Sequence, residues 1–112
     1  MQAVVETPAY LDDAERLLNR AEREAIVDMV SADPLCGVVV PGTGGVRKVR
    51  VGVEGRGKRG GARVIYLFGG DDVPVFLLAL FAKNEKADLS AAERNALGKS
   101  VAAMLDDYRR QK

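Results

Sequence analysis

The run Val75 to Ala82, VFLLALFA, contains no charged or polar side chain. Neighbouring residues of a strand point to opposite faces of a sheet, so a run that is apolar at every position predicts a strand buried on both faces. Extended back to Val73, the run is interrupted by Pro74 and falls short of the roughly 20 apolar residues of a transmembrane helix. We therefore expect it to be the most buried strand of a sheet.

Three stretches show the three- and four-residue spacing of amphipathic helices. The first follows Thr7-Pro8, a predicted N-cap followed by proline at the first helical position. The second begins at Asn19 and Glu22, which have the spacing of a capping box. The third begins at Ser90 and Glu93, which repeat that spacing. The sequence thus predicts two helices near the N-terminus and one at the C-terminus.

Further strands are predicted from β-branched and alternating residues. They lie at Ala3 to Glu6, at Val38 to Val40, from Val46 onwards and at Ala62 to Phe68. The order of elements predicts an α+β fold, with an antiparallel β-sheet of about four strands packed against two N-terminal helices and a C-terminal helix. A length of 112 residues predicts a single domain, residues 1–112.

Composition excludes some classes of site. Cys36 is the only cysteine and the chain has no histidine, so we expect no internal disulfide, no Cys/His metal site and no cofactor. Met1 to Thr7 lacks the basic and apolar regions of a signal peptide. These features predict a protein of the reducing cytoplasm that does not associate with a membrane.

Positive charge is concentrated between Gly42 and Phe68. This segment holds seven basic side chains and one acidic one, Glu54, although the net charge of the chain is +1. The basic residues are Arg47, Lys48, Arg50, Arg56, Lys58, Arg59 and Arg63. Strand alternation places Lys48 and Arg50 on one face. Such a patch on a nearly neutral protein is typical of a surface that binds a phosphate backbone.

Two phosphate-loop patterns occur in this segment. Gly52 to Lys58 fits G-x-x-x-x-G-K, and Gly55 to Gly60 fits G-x-G-x-x-G. Arg59 replaces the Ser or Thr that would hold magnesium, and both patterns lead into a predicted strand instead of a helix. We interpret the glycines as a hairpin loop that lets cations approach a nucleic acid.

Three segments carry a resemblance to a known family: GTGGVRKVR at 42–50, GKRGGARVIY at 57–66, and LLALFAKN at 77–84 followed by Leu89. They resemble the RelE/HigB group of bacterial toxins within the RelE/ParE superfamily, and most closely its HigB-like subgroup. The resemblance implies a RelE-like microbial RNase fold and a metal-independent mRNA endoribonuclease, or mRNA interferase, acting on ribosome-bound transcripts. It also implies a type II toxin–antitoxin system, with a co-encoded, DNA-binding antitoxin as partner.

RNA cleavage without a metal needs a base for the ribose 2′-OH, cations for the phosphorane and an acid for the leaving 5′ oxygen. Lysines crowded by other cations can replace histidine, because nearby positive charge lowers a lysine pKa. The catalytic candidates are Lys48, Arg50, Lys58, Arg63 and Lys83, of which the resemblance aligns Lys48, Arg50 and Arg63 with the family's catalytic cations. The RNA-binding candidates are Arg47, Arg56, Arg59, Tyr66 and Lys86.

The general acid stays open. RelE members of the group carry an arginine at the strand exit and a tyrosine in the following helix region, and these places fall near Asn84 and Ser90 in this chain. Lys83, Lys86 or Glu85 are the alternatives within the protein. Ribosomal RNA is another source of the missing chemistry.

A second interpretation makes the same cations structural. Lys48 and Arg50 would then be the solvated face of a strand, Arg63 would pair with Glu54, and Tyr66 would belong to the core and not stack on a base. The alternative function is a non-catalytic RNA-binding or target-poisoning member of the RelE/ParE superfamily. In either case the apolar faces of the two N-terminal helices are the expected antitoxin dock.

Overall fold

The computed structural model describes residues 1–53, 61–83, 85–86 and 88–111. Its helices and strands, in chain order, are β1 (Val4–Glu6), α1 (Pro8–Leu17), α2 (Arg20–Ala32), β2 (Val38–Val39), β3 (Val46–Val51), β4 (Ala62–Leu67), β5 (Val75–Ala82) and α3 (Ala91–Arg110). The strands form one sheet in the order β1-β5-β4-β3-β2. None of the helices in these ranges is both long enough and apolar enough to cross a membrane.

The three predicted helix starts are confirmed by their caps. The Thr7 hydroxyl accepts a hydrogen bond from the Tyr10 N–H at 3.3 Å. At the start of α2 and of α3, the N-cap side chain and the glutamate three residues later each accept the other's backbone N–H. The local sequence therefore fixes where each helix begins.

The apolar run forms β5 with the predicted bounds, although it is not the most buried strand. Leu78 and Ala79 are half-buried, whereas β4 is buried at every position except Arg63. Both half-buried positions directly follow Leu77, where the pairing of β5 with the short β1 ends. Beyond Leu77, β5 has a single neighbouring strand, and β4 lies between two longer ones.

The α+β fold is confirmed, but the sheet differs from the prediction in two respects. It has five strands instead of about four, and it is mixed, because β1 pairs with β5 in parallel while the other pairs are antiparallel. The helices α1 and α2 carry the chain from one edge of the sheet to the other. The direction of β1 depends on this crossing. Local propensity does not encode the crossing, because it is a long-range property of the fold.

The helices cover opposite faces of the sheet. On one face, α1 and α2 bury Tyr10, Leu17 and Val30 against β4 and β5. On the other face, Val101 of α3 packs among Val46 and other residues of the sheet. The apolar faces of α1 and α2 are thus occupied by the sheet. The expectation that they are free to bind an antitoxin is wrong.

The helix α3 does not cover the whole of the sheet face on which it packs, and one end of that face is left open. Its first turns lie near β3, and its last turn reaches the β4–β5 connection, where Arg109 pairs with Asp72 at 2.7 Å. Between these ends, Leu105 packs directly on Gly69, where an added Cβ would lie 2.7 Å from the leucine side chain. The part of β3 that carries Lys48 and Arg50 therefore lies next to the N-terminal end of α3 and extends past it.

Candidate functional site

Three of the predicted catalytic cations leave the sheet on the same face. Lys48 and Arg50 alternate with Arg47 along β3, and Arg63 lies directly opposite Arg50 on β4. Directly opposed residues of antiparallel strands have Cβ atoms about 5 Å apart, and diagonal neighbours such as Lys48 and Arg63 are about 7–8 Å apart. Their long side chains can therefore converge on one phosphate group.

An aspartate from outside the basic segment joins these cations. The Lys48 ammonium donates a hydrogen bond to one oxygen of Asp88 at 2.7 Å, and the other oxygen accepts the N–H of Leu89 at 2.7 Å. These two hydrogen bonds, with the charges of Lys48 and Arg63, lower the pKa of the Asp88 carboxyl group. The Asp88 carboxylate is thus held within the field of Lys48 and Arg63.

A hollow of about 410 Å³ opens beside this ion pair. It is lined by Val40, Pro41, Gly42, Lys48, Asp88 and Arg94. The Arg94 guanidinium donates to the carbonyl oxygen of Leu89 at 3.2 Å, which ties the first turn of α3 to the loop that carries Asp88. The hollow therefore presents two cations and one carboxylate from three different parts of the chain.

Lys86 approaches the same face from the loop after β5. Its ammonium lies 5.3 Å from the ring centroid of Phe81, and Phe81 pairs with Arg63 across β4 and β5. Lys86 also pairs with Glu93, and this contact, with the Ser90 N–H, lowers the pKa of Glu93 to about 2. Lys86 thus lies on the side of Arg63, and its ammonium is paired with Glu93.

Arg47 and Tyr66 do not face this site, contrary to the prediction that they bind RNA. The Arg47 guanidinium donates to the carbonyl oxygen of Gly37 at 2.7 Å, on the sheet face opposite Lys48. Tyr66 is fully buried; its hydroxyl donates to the carbonyl oxygen of Pro34 at 2.7 Å and accepts the Gly37 N–H at 2.8 Å. Both side chains hold the loop before β2. The buried Tyr66 ring cannot stack on a base, and Arg47 lies on the face away from Lys48.

The other residues considered for the general acid differ in the contacts that they make. Lys83 is exposed at the end of β5, and its N–H donates to the carbonyl oxygen of Gly61 at 3.2 Å, beside the start of β4. The Ser90 hydroxyl serves as the N-cap of α3. Glu85 pairs with Arg16 at 2.7 Å. Ser90 and Glu85 therefore have structural contacts, and all three residues are exposed.

Several predictions fall on residues outside the described ranges. They concern Glu54, Arg56, Lys58, Arg59 and Asn84. The two phosphate-loop patterns also lie mainly on this part of the chain. What the structure does describe is the element that follows them, and it is β4, as predicted, instead of a helix.

Sequence reasoning missed Asp88, Arg94 and Phe81 as neighbours of the site. Nothing in the local sequence indicates that Asp88 contacts a lysine 40 residues earlier. The one available signal was the position of Asp88, two residues before the Ser90 cap, which places it at the helix end that meets the sheet.

Comparisons with known proteins agree with the fold. A family model described as the RelE toxin of the RelE/RelB toxin–antitoxin system matches residues 15–112. Among solved structures, a double arginine-to-alanine mutant of the E. coli toxin RelE in the free state superposes with a TM-score of 0.54. It is 15% identical and the match covers 76% of this chain and 86% of that chain, so it supports the fold alone. The family model spans most of the sequence, and the chain therefore belongs to the RelE toxin family of RelE/RelB toxin–antitoxin systems.

Proposed function

We propose that this member of the family is an mRNA endoribonuclease that acts in the cytoplasm on ribosome-bound transcripts, needs no metal and is neutralised by a cognate antitoxin. We also propose that it belongs to the HigB-like subgroup, on the strength of its GTGGVRKVR and GKRGGARVIY segments. The observation that carries the proposal is the register that puts Lys48, Arg50 and Arg63 on one sheet face, where Lys48 also lines an open hollow.

The chemistry assigns different tasks to these cations. The planar guanidinium group presents several donors to phosphate oxygens, which suits Arg50 and Arg63 to neutralise the charge that grows on those oxygens. Lys48 adds a third charge and an exchangeable proton next to them. Lys58 and Lys83 complete the proposed set as candidates for the remaining proton transfer, with Arg56 and Arg59 contacting the RNA backbone.

We propose a different surface for antitoxin binding from the one that the sequence predicted. Because the faces of α1 and α2 are occupied, we place the dock at the β2 edge, where Leu35, Val38 and Val39 are exposed and Val38 reaches 67%. Exposed apolar side chains on a sheet edge are a surface that a partner strand can cover. Val38→Asp is then expected to prevent co-purification with the product of the neighbouring gene, and Lys48→Ala is not.

The test of the activity is expression with and without the neighbouring gene, followed by mapping of transcript ends. We expect growth arrest and cuts within translated codons, both relieved by co-expression of the neighbouring gene. Lys48→Ala and Arg63→Ala are expected to abolish both effects. Arg20→Ala is the matched control, because Arg20 is 92% exposed on α2, on the other face of the sheet. If the Lys48 and Arg63 variants still cut transcripts, the assigned site is wrong.

A non-catalytic RNA binder is the second candidate, and one observation favours it. The Lys48 ammonium donates to Asp88, and an ammonium has no lone pair with which to take the proton of a 2′-OH, which counts against Lys48 as the general base. Purified protein with labelled mRNA and ribosomes separates the two functions. Cut RNA supports the endoribonuclease, and bound but intact RNA supports the binder; omission of ribosomes tests whether they are required.

A further inference from the structure

We propose that Asp88 is a positioning residue, which holds the Lys48 ammonium beside Arg63 in the geometry that RNA cleavage requires. The inference rests on the proposed function, because it assumes that Lys48 acts on RNA. The contact itself is a property of the free protein. It can therefore be tested without any substrate.

The first support is that Asp88 is itself fixed. One of its oxygens accepts the N–H of Leu89 at 2.7 Å, directly before the Ser90 cap of α3. Arg94 ties the same loop to the first helical turn through the Leu89 carbonyl oxygen. The other Asp88 oxygen is left to receive Lys48 at 2.7 Å. Asp88 thus connects a long, flexible side chain of β3 to the rigid start of α3.

The second support is the charge of the surroundings. Among the described residues, the cations near the Asp88 carboxylate include Lys48 from β3, Arg63 from β4 and Arg94 from α3. A carboxylate among these cations opposes the binding of a polyanion, so it weakens the surface for simple RNA binding. A lysine side chain has four rotatable bonds and a compact charge. An ion pair that fixes the position of the ammonium supplies the geometry that catalysis needs.

These two effects predict opposite changes in the variant Asp88→Asn. Asparagine has the same shape and its oxygen can still accept the Leu89 N–H, so the loop is expected to fold as before. Loss of the negative charge is expected to leave RNA affinity equal or higher. Loss of the hold on Lys48 is expected to slow single-turnover cleavage by about tenfold or more.

Two matched variants complete the kinetic test. Asp71→Asn removes an exposed carboxylate at the β4–β5 turn and is expected to change neither affinity nor cleavage. Asp88→Glu restores the charge at a longer reach and is expected to recover part of the cleavage rate. If Asp88→Asn cleaves as fast as the wild type, or faster, the inference is overturned. A parallel loss of RNA binding and cleavage overturns it too, because that result indicates a merely structural role.

Carboxyl NMR on the RNA-free protein tests the contact separately. In Lys48→Gln the Asp88 pKa is expected to rise towards its usual range, since the ammonium is the main cause of its lowering. Lys99→Gln, on the outer part of α3, is expected to leave it unchanged. An unchanged Asp88 titration in Lys48→Gln contradicts the inference. If the wild type cleaves no RNA, the proposed function fails, and this titration still decides whether Lys48 and Asp88 interact.

Discussion

Arg50 and Arg63 lie directly opposite each other on β3 and β4, on the sheet face that carries Lys48. Like charges at directly opposed positions of an antiparallel pair destabilise a sheet by roughly 0.2–1 kcal/mol relative to neutral residues. The Asp88 carboxylate offsets part of this repulsion, since it lies within the field of Arg63. The pair is thus unfavourable for folding and favourable for binding a phosphate.

Arg50→Gln is therefore expected to stabilise the fold while it impairs function. Removing one of the two opposed charges should raise the free energy of unfolding by up to about 1 kcal/mol, and the gain should shrink as salt screens the repulsion. Urea denaturation at low and high salt measures both effects, and RNA cleavage is expected to fall. Arg20→Gln, which removes a surface i,i+4 pair with Glu24, should give no gain. Loss of stability in Arg50→Gln would show that Arg50 makes a stabilising contact.

The parts of the fold that follow from short-range rules were predictable. The caps at Thr7, Asn19 and Ser90 depend on side chains within three residues, and each is present. The shared face of Lys48 and Arg50 follows from the two-residue period of a strand. That same period places Arg47 on the opposite face. Applied to Arg47, the period already separates this residue from Lys48 and Arg50.

The remaining features depend on contacts between distant parts of the chain. Tyr66 and Pro34 are 32 residues apart, and the hydrogen bond between them decides that the ring is buried. Lys48 and Asp88 are 40 residues apart, and their pairing depends on how α3 is docked on the sheet. Neither separation leaves a local pattern. An aromatic or an acidic residue therefore kept several possible roles until the tertiary structure was known.

Tyr66→Phe tests the structural role of the buried hydroxyl. The variant leaves the Gly37 N–H and the Pro34 carbonyl oxygen without their partner, and an unsatisfied buried group costs about 1–3 kcal/mol. Urea denaturation should show a loss of this size, while the RNA affinity of the folded protein should be unchanged. A variant with wild-type stability and weaker RNA binding would instead return Tyr66 to the RNA interface.

Glu93→Gln tests the charge at the start of α3. Lys86 and the Ser90 N–H lower the pKa of Glu93 from 4.5 to about 2 in the folded protein. A carboxyl group with a lowered folded-state pKa stabilises the fold above its unfolded pKa, and this contribution is lost as the pH falls through the folded value. The wild type should therefore be more stable than Glu93→Gln at neutral pH, and the difference should close between about pH 4.5 and about pH 2. Urea midpoints across this range measure it.

The control for the Glu93 variant is Glu24→Gln, on the exposed surface of α2. Its urea midpoint should follow that of the wild type in parallel over the same pH range. Glutamine at position 93 can still accept the Ser90 N–H, so the comparison isolates the charge from the capping hydrogen bond. A difference between Glu93→Gln and the wild type that is constant at all pH values would contradict the assignment of this charge to stability.

Gly61 sets the start of β4, and with it the position of Arg63. Its φ is +79°, and an added Cβ would lie 2.2 Å from the carbonyl oxygen of Val51 on β3. Gly44 has a similar φ of +76° but no atom within 4 Å of the same point. Gly44→Ala therefore carries only the left-handed backbone strain of about 1–2 kcal/mol. Gly61→Ala carries that strain and the clash as well.

We expect Gly61→Ala to lose about 1–3 kcal/mol more of the free energy of unfolding than Gly44→Ala, because the clash forces a shift of two paired strands. That shift occurs at the Val51–Ala62 pair, next to the Arg50–Arg63 pair, so RNA cleavage should fall in Gly61→Ala even where the protein is fully folded. Urea denaturation and cleavage under native conditions measure the two effects. Equal stability losses in the two variants would mean that β3 and β4 can separate at this end without strain, and the last glycine of the GKRGG segment would then have no special role in aligning the cations.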